Sequence, residues 1–424
     1  MIACVIFHKL IIYEKFENKR FAGYDVEMKR IYLDNAAATP VDAGVMKVVS
    51  ATLKKFPGNP SALHKEGVMA RQALEVARGQ IAGVLSAHAD EIVFTSGATE
   101  ANNMAIVGVV RAARTQSVAH PHIIVSAIEH PSVLEVVRAL EREGVLVDYL
   151  PVDQRGLVDL KELRKLITPE TVLVSVMYAN NEIGTIEPIR EIAKEIRHAH
   201  KMHNSSYPYF HTDAAQAANY LDLSTPSLGV DLMTLSSGKT YGPRGIGALF
   251  IKRGVKIAPL MYGGEHEGAR RPGTEPVALA VGFAEALTLA QKMKVKESAR
   301  VQKLRDALAQ NILKKIPGST VNGGLTCALP NIMNISFPNI ESELLVIYLD
   351  AAGIAVSGKS ACKSVEGGAS HVILAIGKAE TEQAGAIRFS LGRETTSTDI
   401  TYTTKELSRI ASLLREAHSQ SDGV

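Results

Sequence analysis

The sequence predicts an α/β protein built on a mostly parallel sheet, and three observations carry that prediction. Short apolar runs alternate with longer stretches of helical periodicity. The apolar runs end in polar residues, as strands do when they deliver side chains to a common edge. After about residue 285 the texture changes to a long charged helical stretch followed by shorter strand-like runs, the mark of a second, smaller α+β unit.

Taken in order, Val68–Leu85 (VMARQALEVARGQIAGVL) spaces its apolar residues along one helical face. EIVFTS (Glu91–Ser96) reads as a strand, and GATEANNMAIVGVV as the helix after it, with its glycine at the start. HIIVSAIEH, TVLVSVMYA, YFHTDAA and DLMTLSS are further strands, each separated from the next by a helical stretch or a long loop. ALTLAQKMKVKESARVQKLRDALAQNILKKI is a long helix with charged faces. IMNISF and AIRFSLG are strands of the second unit, and ELSRIASLLREAH is its last helix. The expected division is an N-terminal extension outside the fold (1–27), a large domain (28–285) and a small C-terminal domain (286–424), with Asp34–Pro40 near the junction. Met28, followed by KRIYLDNAAATP, makes a natural beginning; a targeting segment is the rival reading of 1–27.

Composition removes several classes of function. The chain has 424 residues and is 46% hydrophobic, enough for a large core. Its net charge of +3 is scattered, which argues against a nucleic-acid footprint or a polybasic membrane patch. No apolar run reaches the roughly 18 residues of a membrane span. The three cysteines, Cys4, Cys327 and Cys362, form no CxxC pair, which argues against a zinc cluster or a disulfide framework. Free thiols suit a reducing compartment, and the expected location is cytoplasmic.

Five strand ends carry polar side chains: Ser96–Gly97, Glu129–His130, Asn180–Asn181, Asp213 with Gln216, and Ser236 to Lys239. Any one of them reads equally well as a loop start. Together they point to one site, because open α/β sheets bind ligands outside the carboxyl ends of their strands.

TSGATEANN sets Gly97, Ala98 and Thr99 between strand and helix, where small residues let backbone N–H groups approach an anion. A tight turn with an N-cap explains the segment as well, and the pattern is not that of a P-loop. In HTDAAQAA, Asp213 closes an apolar strand and requires a partner, either a protonated ring nitrogen or the N–H groups of a following helix. Lys239, in SSGKTYGPRGIG, has the setting of a Schiff-base lysine: flanking Ser236 and Ser237 hydroxyls and a shaped Tyr241-Gly242-Pro243 turn. His130 in EHPS can stack on a ring and shuttle protons, or serve structure alone. Cys362 lies in VSGKSACKSVEGGAS, whose glycines predict a flexible, exposed loop and whose Lys359 and Lys363 favour the thiolate. Arg388 in IRFSLG can hold a carboxylate by two bonds, or pair at the surface.

From about Arg30 to about residue 415 the chain resembles the pyridoxal-phosphate cysteine desulfurases of the NifS/IscS type, within the class V aminotransferase group. The resemblance rests on YLDNAAATP, GNPSALH, FTSGATEANN, EHPSVLE, NNEIGTIEPI, HTDAAQ, SSGKTYGPRGIG, RRPGTEPV, SGKSAC and IRFSLGR, in this order. It implies PLP fold type I, with a large domain on a mostly parallel seven-stranded sheet plus a smaller α+β domain, and a homodimer. Pyridoxal 5'-phosphate would be held by Lys239, with Asp213 on the ring nitrogen, Gln216 on the ring oxygen and His130 stacked on the ring. Asn181 would touch substrate or cofactor oxygen. Ala98, Thr99 and Ser236 would bind phosphate, with Thr274 arriving from the neighbouring subunit. Asn35 and Arg388 would hold the carboxylate of L-cysteine. Cys362 would take the sulfur as a persulfide and leave L-alanine.

The span from Cys362 to Ser370 has the longer form of the IscS-like group, which implies delivery to a scaffold protein of the IscU type or to a tRNA-thiolation enzyme. Two positions depart from the family pattern: Gly238 stands where a phosphate-binding histidine usually precedes the lysine, and Pro272 replaces serine in the RSGT segment. The competing readings are a selenocysteine lyase, an aminotransferase or β-lyase without a persulfide, and a non-catalytic sulfur-assembly partner that keeps only the fold.

Overall fold

The computed structural model describes residues 30–116, 118–358, 370–378 and 385–421. The extension 1–27 and Cys362 both lie outside the described residues.

Seven strands form the main sheet: β2 (Ile92–Thr95), β3 (His122–Ser126), β4 (Leu146–Leu150), β5 (Thr171–Ser175), β6 (Tyr209–Asp213), β7 (Leu232–Ser236) and β8 (Gly247–Ile251). Their order is β2-β8-β7-β6-β5-β3-β4, and only β8 runs against the rest. Strands β3 and β5 are buried throughout, which explains why they read as unbroken apolar runs: a parallel strand covered on both faces has no polar side. Edge strand β4 is largely uncovered and carries Asp148 and Tyr149.

Between the strands run α1 (Lys65–Leu85), α2 (Ala98–Thr115), α3 (Pro131–Arg142) and α4 (Ile189–His203). Leu74 and Ile81 of α1 and Ile192 and Ile196 of α4 pack on one face of the sheet. Met104 and Val109 of α2 and Val133 and Val137 of α3 pack on the other. The three layers leave the carboxyl ends of β2, β3, β5, β6 and β7 on one rim.

Helix α5 (Val277–Lys315) runs for 39 residues, about 58 Å at the ordinary helical rise. Its first turns put Ala280, Phe283 and Leu287 into the main core, and its last turns put Leu308 and Ile312 into another. Residue 285 falls inside it. The second core encloses the antiparallel sheet of β9 (Thr320–Asn322), β10 (Ile332–Ser336) and β12 (Ala386–Ser390). Two helices, α6 (Ser342–Ala351) and α8 (Ser397–Ser421), cover it, while α7 (His371–Ala375) packs with Ile128, Met177 and Ile183 at the main sheet.

The N-terminal segment joins this second core. Strand β1 (Ile31–Tyr32) pairs in parallel with β11 (Ile354–Ala355), Ile31 and Leu33 are buried there, and Asp34 bridges to Ser390. The chain then crosses to the rim of the main sheet, so residues 34–39 lie between the two cores.

Candidate active site at the strand ends

Lys239 follows β7 on a single 3-10 turn, Ser237–Lys239, and is half-buried. Its Nζ donates to the carbonyl oxygens of Ala36, at 2.8 Å, and Ala37. Gln216 Nε2 donates to the same Ala36 carbonyl at 2.9 Å. One acceptor on the crossing segment thus brings together two residues expected at the site. The lysine loop is held from below by Asn219, whose Nδ2 donates to Lys239 O at 2.6 Å, and from the side by Thr39, which donates to Gly238 O.

Asp213 closes the neighbouring strand and is buried. Its Oδ1 accepts from Ala215 N at 2.9 Å and its Oδ2 from Asn102 Nδ2 at 2.7 Å. The same Asn102 nitrogen donates to Ser132 Oγ at 2.8 Å, and that hydroxyl lies 2.8 Å from His130 Nδ1. Because His130 Nδ1 also accepts from Ser132 N, the neutral ring carries its proton on Nε2. Burial lowers the His130 pKa; the charge of Asp213 opposes this and that of Lys239 adds to it. Asn102 and Ser132 therefore link His130 to Asp213, a role that the expected site did not include. Asn102 sits in the quoted TSGATEANN run, and the only local signal was a polar residue on the inward face of an apolar helix.

A second polar row crosses the sheet beneath the site. His211 lies 2.8 Å from Ser175 Oγ and 3.1 Å from Thr234 Oγ1. Its complete burial pulls its pKa down to about 4, so the ring is neutral. At the end of β3, Glu129 accepts from Ser126 Oγ and from Met177 N through Oε1, while its buried Oε2 has no partner among the described residues. Burial pushes the Glu129 pKa up to about 8.

The two asparagines at the end of the β5 segment differ. Asn180 is fully buried and structural: its Oδ1 accepts from Glu182 N and Ile183 N, and its Nδ2 donates to Ile128 O. Asn181 is half-buried, and its carbonyl accepts from Arg388 at 3.0 Å. Arg388, on β12, also donates to Asp34 Oδ1 at 2.8 Å, and its buried Nε has no partner among the described residues. Asn35 is buried and donates to the carbonyls of Tyr32 and Ser390. Gly392 passes so close that an added Cβ would lie 2.4 Å from Asn35 Oδ1.

The turn Ser96–Ala98 starts α2 with no side-chain cap at Gly97, so the first amides of the helix are open to an anion. Strand β8 reaches this turn only because residue 247 is glycine: a Cβ there would lie 2.8 Å from Gly97 Cα. Thr99 is exposed, and Ser236 is half-buried at the end of β7. Thr274 lies on an exposed stretch three residues beyond Arg271. Ser370, at the start of α7, donates to Glu182 at 2.6 Å, and His371 Nε2 lies 2.9 Å from Glu129 O. Cys327 is exposed and forms no disulfide with a described residue. Among the described residues there is no cluster of His, Cys, Asp or Glu able to hold a metal ion, and no helix long and apolar enough to cross a membrane.

A three-layer α/β fold with lysine, aspartate and histidine at the ends of β7, β6 and β3 on one rim, with an arginine from the second core, is the architecture of a class-V aminotransferase. The class-V aminotransferase family matches residues 31–402, and the chain belongs to it. Its relatives include the cysteine desulfurase IscS of Dictyoglomus turgidum, 44% identical over 92% of this chain and 96% of that protein. The cysteine desulfurase IscS of Methanosarcina thermophila is 43% identical over 92% of this chain and 94% of its own length. A solved structure of a NifS-like protein superposes with a TM-score of 0.84 at 36% identity, covering 91% of this chain and all of that one.

Proposed function

We propose that this chain is a pyridoxal-phosphate-dependent cysteine desulfurase that moves the sulfur of L-cysteine onto Cys362, for delivery to an acceptor protein in iron–sulfur cluster assembly. The observation that supports this most is the shared Ala36 carbonyl, which sets Lys239 Nζ beside Gln216 and one strand from the Asn102-supported carboxylate of Asp213.

The residues fit the cofactor. Lys239 would carry the covalent link, Asp213 would meet the ring nitrogen, Gln216 the ring oxygen and His130 the ring face. The open amides at Gly97–Thr99 would take the phosphate with Ser236, and Thr274 would come from a second copy in a homodimer. When bound, the group supplies an electron sink for the carbanion formed at the substrate.

The chain's own residues do the rest. Arg388 and Asn35 orient the carboxylate, with Asn181 alongside. The Lys239 amine moves the α-proton, and the Nε2 proton of His130 points to a donor role near the ring. The Cys362 thiolate attacks the substrate sulfur: the S–S bond forms, the carbon–sulfur bond breaks, and its electron pair stays on the carbon, which is protonated to give L-alanine.

The test is absorbance followed by sulfide release. The protein with added cofactor should absorb near about 420 nm, the general region for a lysine-linked pyridoxal group. Lys239→Ala should lose that band. Cys362→Ala should keep it and lose cysteine-dependent sulfide release. Absence of the band in the wild type overturns the proposal, retained sulfide release by Cys362→Ala points to a β-lyase, and strong preference for selenocysteine points to the lyase of that substrate.

A further inference from the structure

The first turn of α2 carries an anion of its own. Glu100 sits one residue beyond Thr99, its side chain 11% exposed, and its Oε2 accepts from Ser96 N at 2.6 Å. An acidic residue in a first turn ordinarily suits the helix dipole. Beside a phosphate on the adjoining amides of Gly97–Thr99 it becomes a like charge. Protonation offers no escape: burial would raise the Glu100 pKa, but the bonds from Arg271 and Ser96 outweigh it and hold the group below the usual carboxylate range.

Arg271 meets this charge. Its Nε lies 2.9 Å from Glu100 Oε1, and its terminal nitrogen lies 3.4 Å from Oε2. The arginine is itself fixed, because its loop is fastened to β2 on the other side of the turn. There Glu267 takes two bonds from Arg78, at 2.6 and 2.7 Å, and one from Phe94 N at 2.8 Å. The loop thus grips the strand just before Ser96 and the helix just after Thr99.

We propose that Arg271 is a positioning residue of the phosphate turn: it neutralises Glu100, so that the amides of Gly97–Thr99 face the cofactor phosphate without a competing negative charge. This rests on the reading of that turn as the phosphate cradle. Arg271 also stands three residues before Thr274, so the pair joins a subunit's own turn to the arm proposed to reach its partner's site.

The experiment titrates apoprotein with pyridoxal 5'-phosphate and, separately, with pyridoxal, which lacks the phosphate, and follows absorbance. Arg271→Ala should weaken binding of the phosphorylated form roughly 10- to 100-fold, the scale of one uncompensated like charge at a partly buried site, and change pyridoxal by less than about twofold. Glu100→Gln added to Arg271→Ala should restore the phosphorylated form to within about threefold of wild type. Glu100→Gln alone keeps a polar partner for Ser96 N and serves if Arg271→Ala does not fold; it should tighten the phosphorylated form about threefold or more. Equal losses for both compounds, a double variant as weak as Arg271→Ala, or weaker binding by Glu100→Gln would each overturn the proposal. A wild type that binds neither compound would instead remove the cofactor reading beneath it.

Discussion

Asn102 donates a 2.7 Å hydrogen bond to the carboxylate of Asp213 from the helix that follows β2, three positions away from β6 in the sheet. Being fully buried, Asn102 has no water to replace that bond. Asn102→Asp would set a second carboxylate against Asp213, and one of the two would hold a proton. Cofactor affinity should then fall by about tenfold or more, measured by titrating apoprotein. An unchanged dissociation constant would separate Asp213 from the ring.

Arg388 directs one nitrogen to Asp34 and another to the Asn181 carbonyl. In the proposed function this guanidinium orients the substrate carboxylate. Lysine has the charge but not the geometry. Arg388→Lys should raise the KM for cysteine roughly 10- to 100-fold and leave cofactor affinity unchanged. Steady-state kinetics beside a cofactor titration reads both, and an unchanged KM places the carboxylate elsewhere.

Glu129 predicts a pH dependence of stability. Its folded pKa of about 8 lies above the ordinary 4.5, so below pH 4.5 folded and unfolded chains both hold the proton. Between 4.5 and about 8 only the folded chain does, so this contribution is lost as pH rises through that window and is gone above it. Glu129→Gln removes the slope. The stability of wild type relative to Glu129→Gln should fall between pH 5 and pH 8 by at most about 4 kcal/mol in chemical unfolding. His211, held near 4 by its own burial, is shared by both proteins and drops out of the difference. Parallel curves would show that Glu129 is ionised when folded.

The Arg78–Glu267 pair is nearly dry, with side chains 9% and 1% exposed. Glu267 also adopts a left-handed backbone, φ 49°, followed by Gly268 at 65° and Ala269 at 59°. Such a conformation costs a non-glycine residue about 1–2 kcal/mol, and the buried carboxylate offsets it. Glu267→Ala removes both of its bonds to Arg78 and leaves that guanidinium only Glu75, at 3.1 Å, and the Ile92 carbonyl, which should lower unfolding stability by about 1.5–3 kcal/mol. A loss under about 1 kcal/mol would mean that water reaches the pair.

The sequence was most legible where one residue combines a strand end with a distinctive side chain, as at Asp213 and Lys239. Strand β7 and its glycine-rich exit announce Lys239 without reference to distant residues. Asn102 was not legible in the same way, because its function depends on Asp213, 111 residues later, and on Ser132. Asn180 and Asn181 are adjacent and identical in type, and only the turn geometry assigns one to structure and the other's carbonyl to Arg388. Helix α5 was legible as a helix, but its start at Val277 was not: the turns that join the main core are apolar like the strands around them. The Glu267 anchor left no local pattern, since its partners Arg78 and Phe94 lie on other elements.

The segment carrying Ala36 and Ala37 is held in place by residues that the ribosome makes more than three hundred positions later. Its lead-in, Ile31–Leu33, is secured by Gly353 and Ala355, and Asn35 and Ala36 by Ser390. Lys239 emerges more than a hundred residues before those supports exist. During synthesis, the sheet and its lysine can form while the segment carrying those carbonyls is still unanchored. The reactive amine therefore meets its final surroundings only after Ser390 has been made, and a product that stops before it carries the lysine without the anchored carbonyls that hold it.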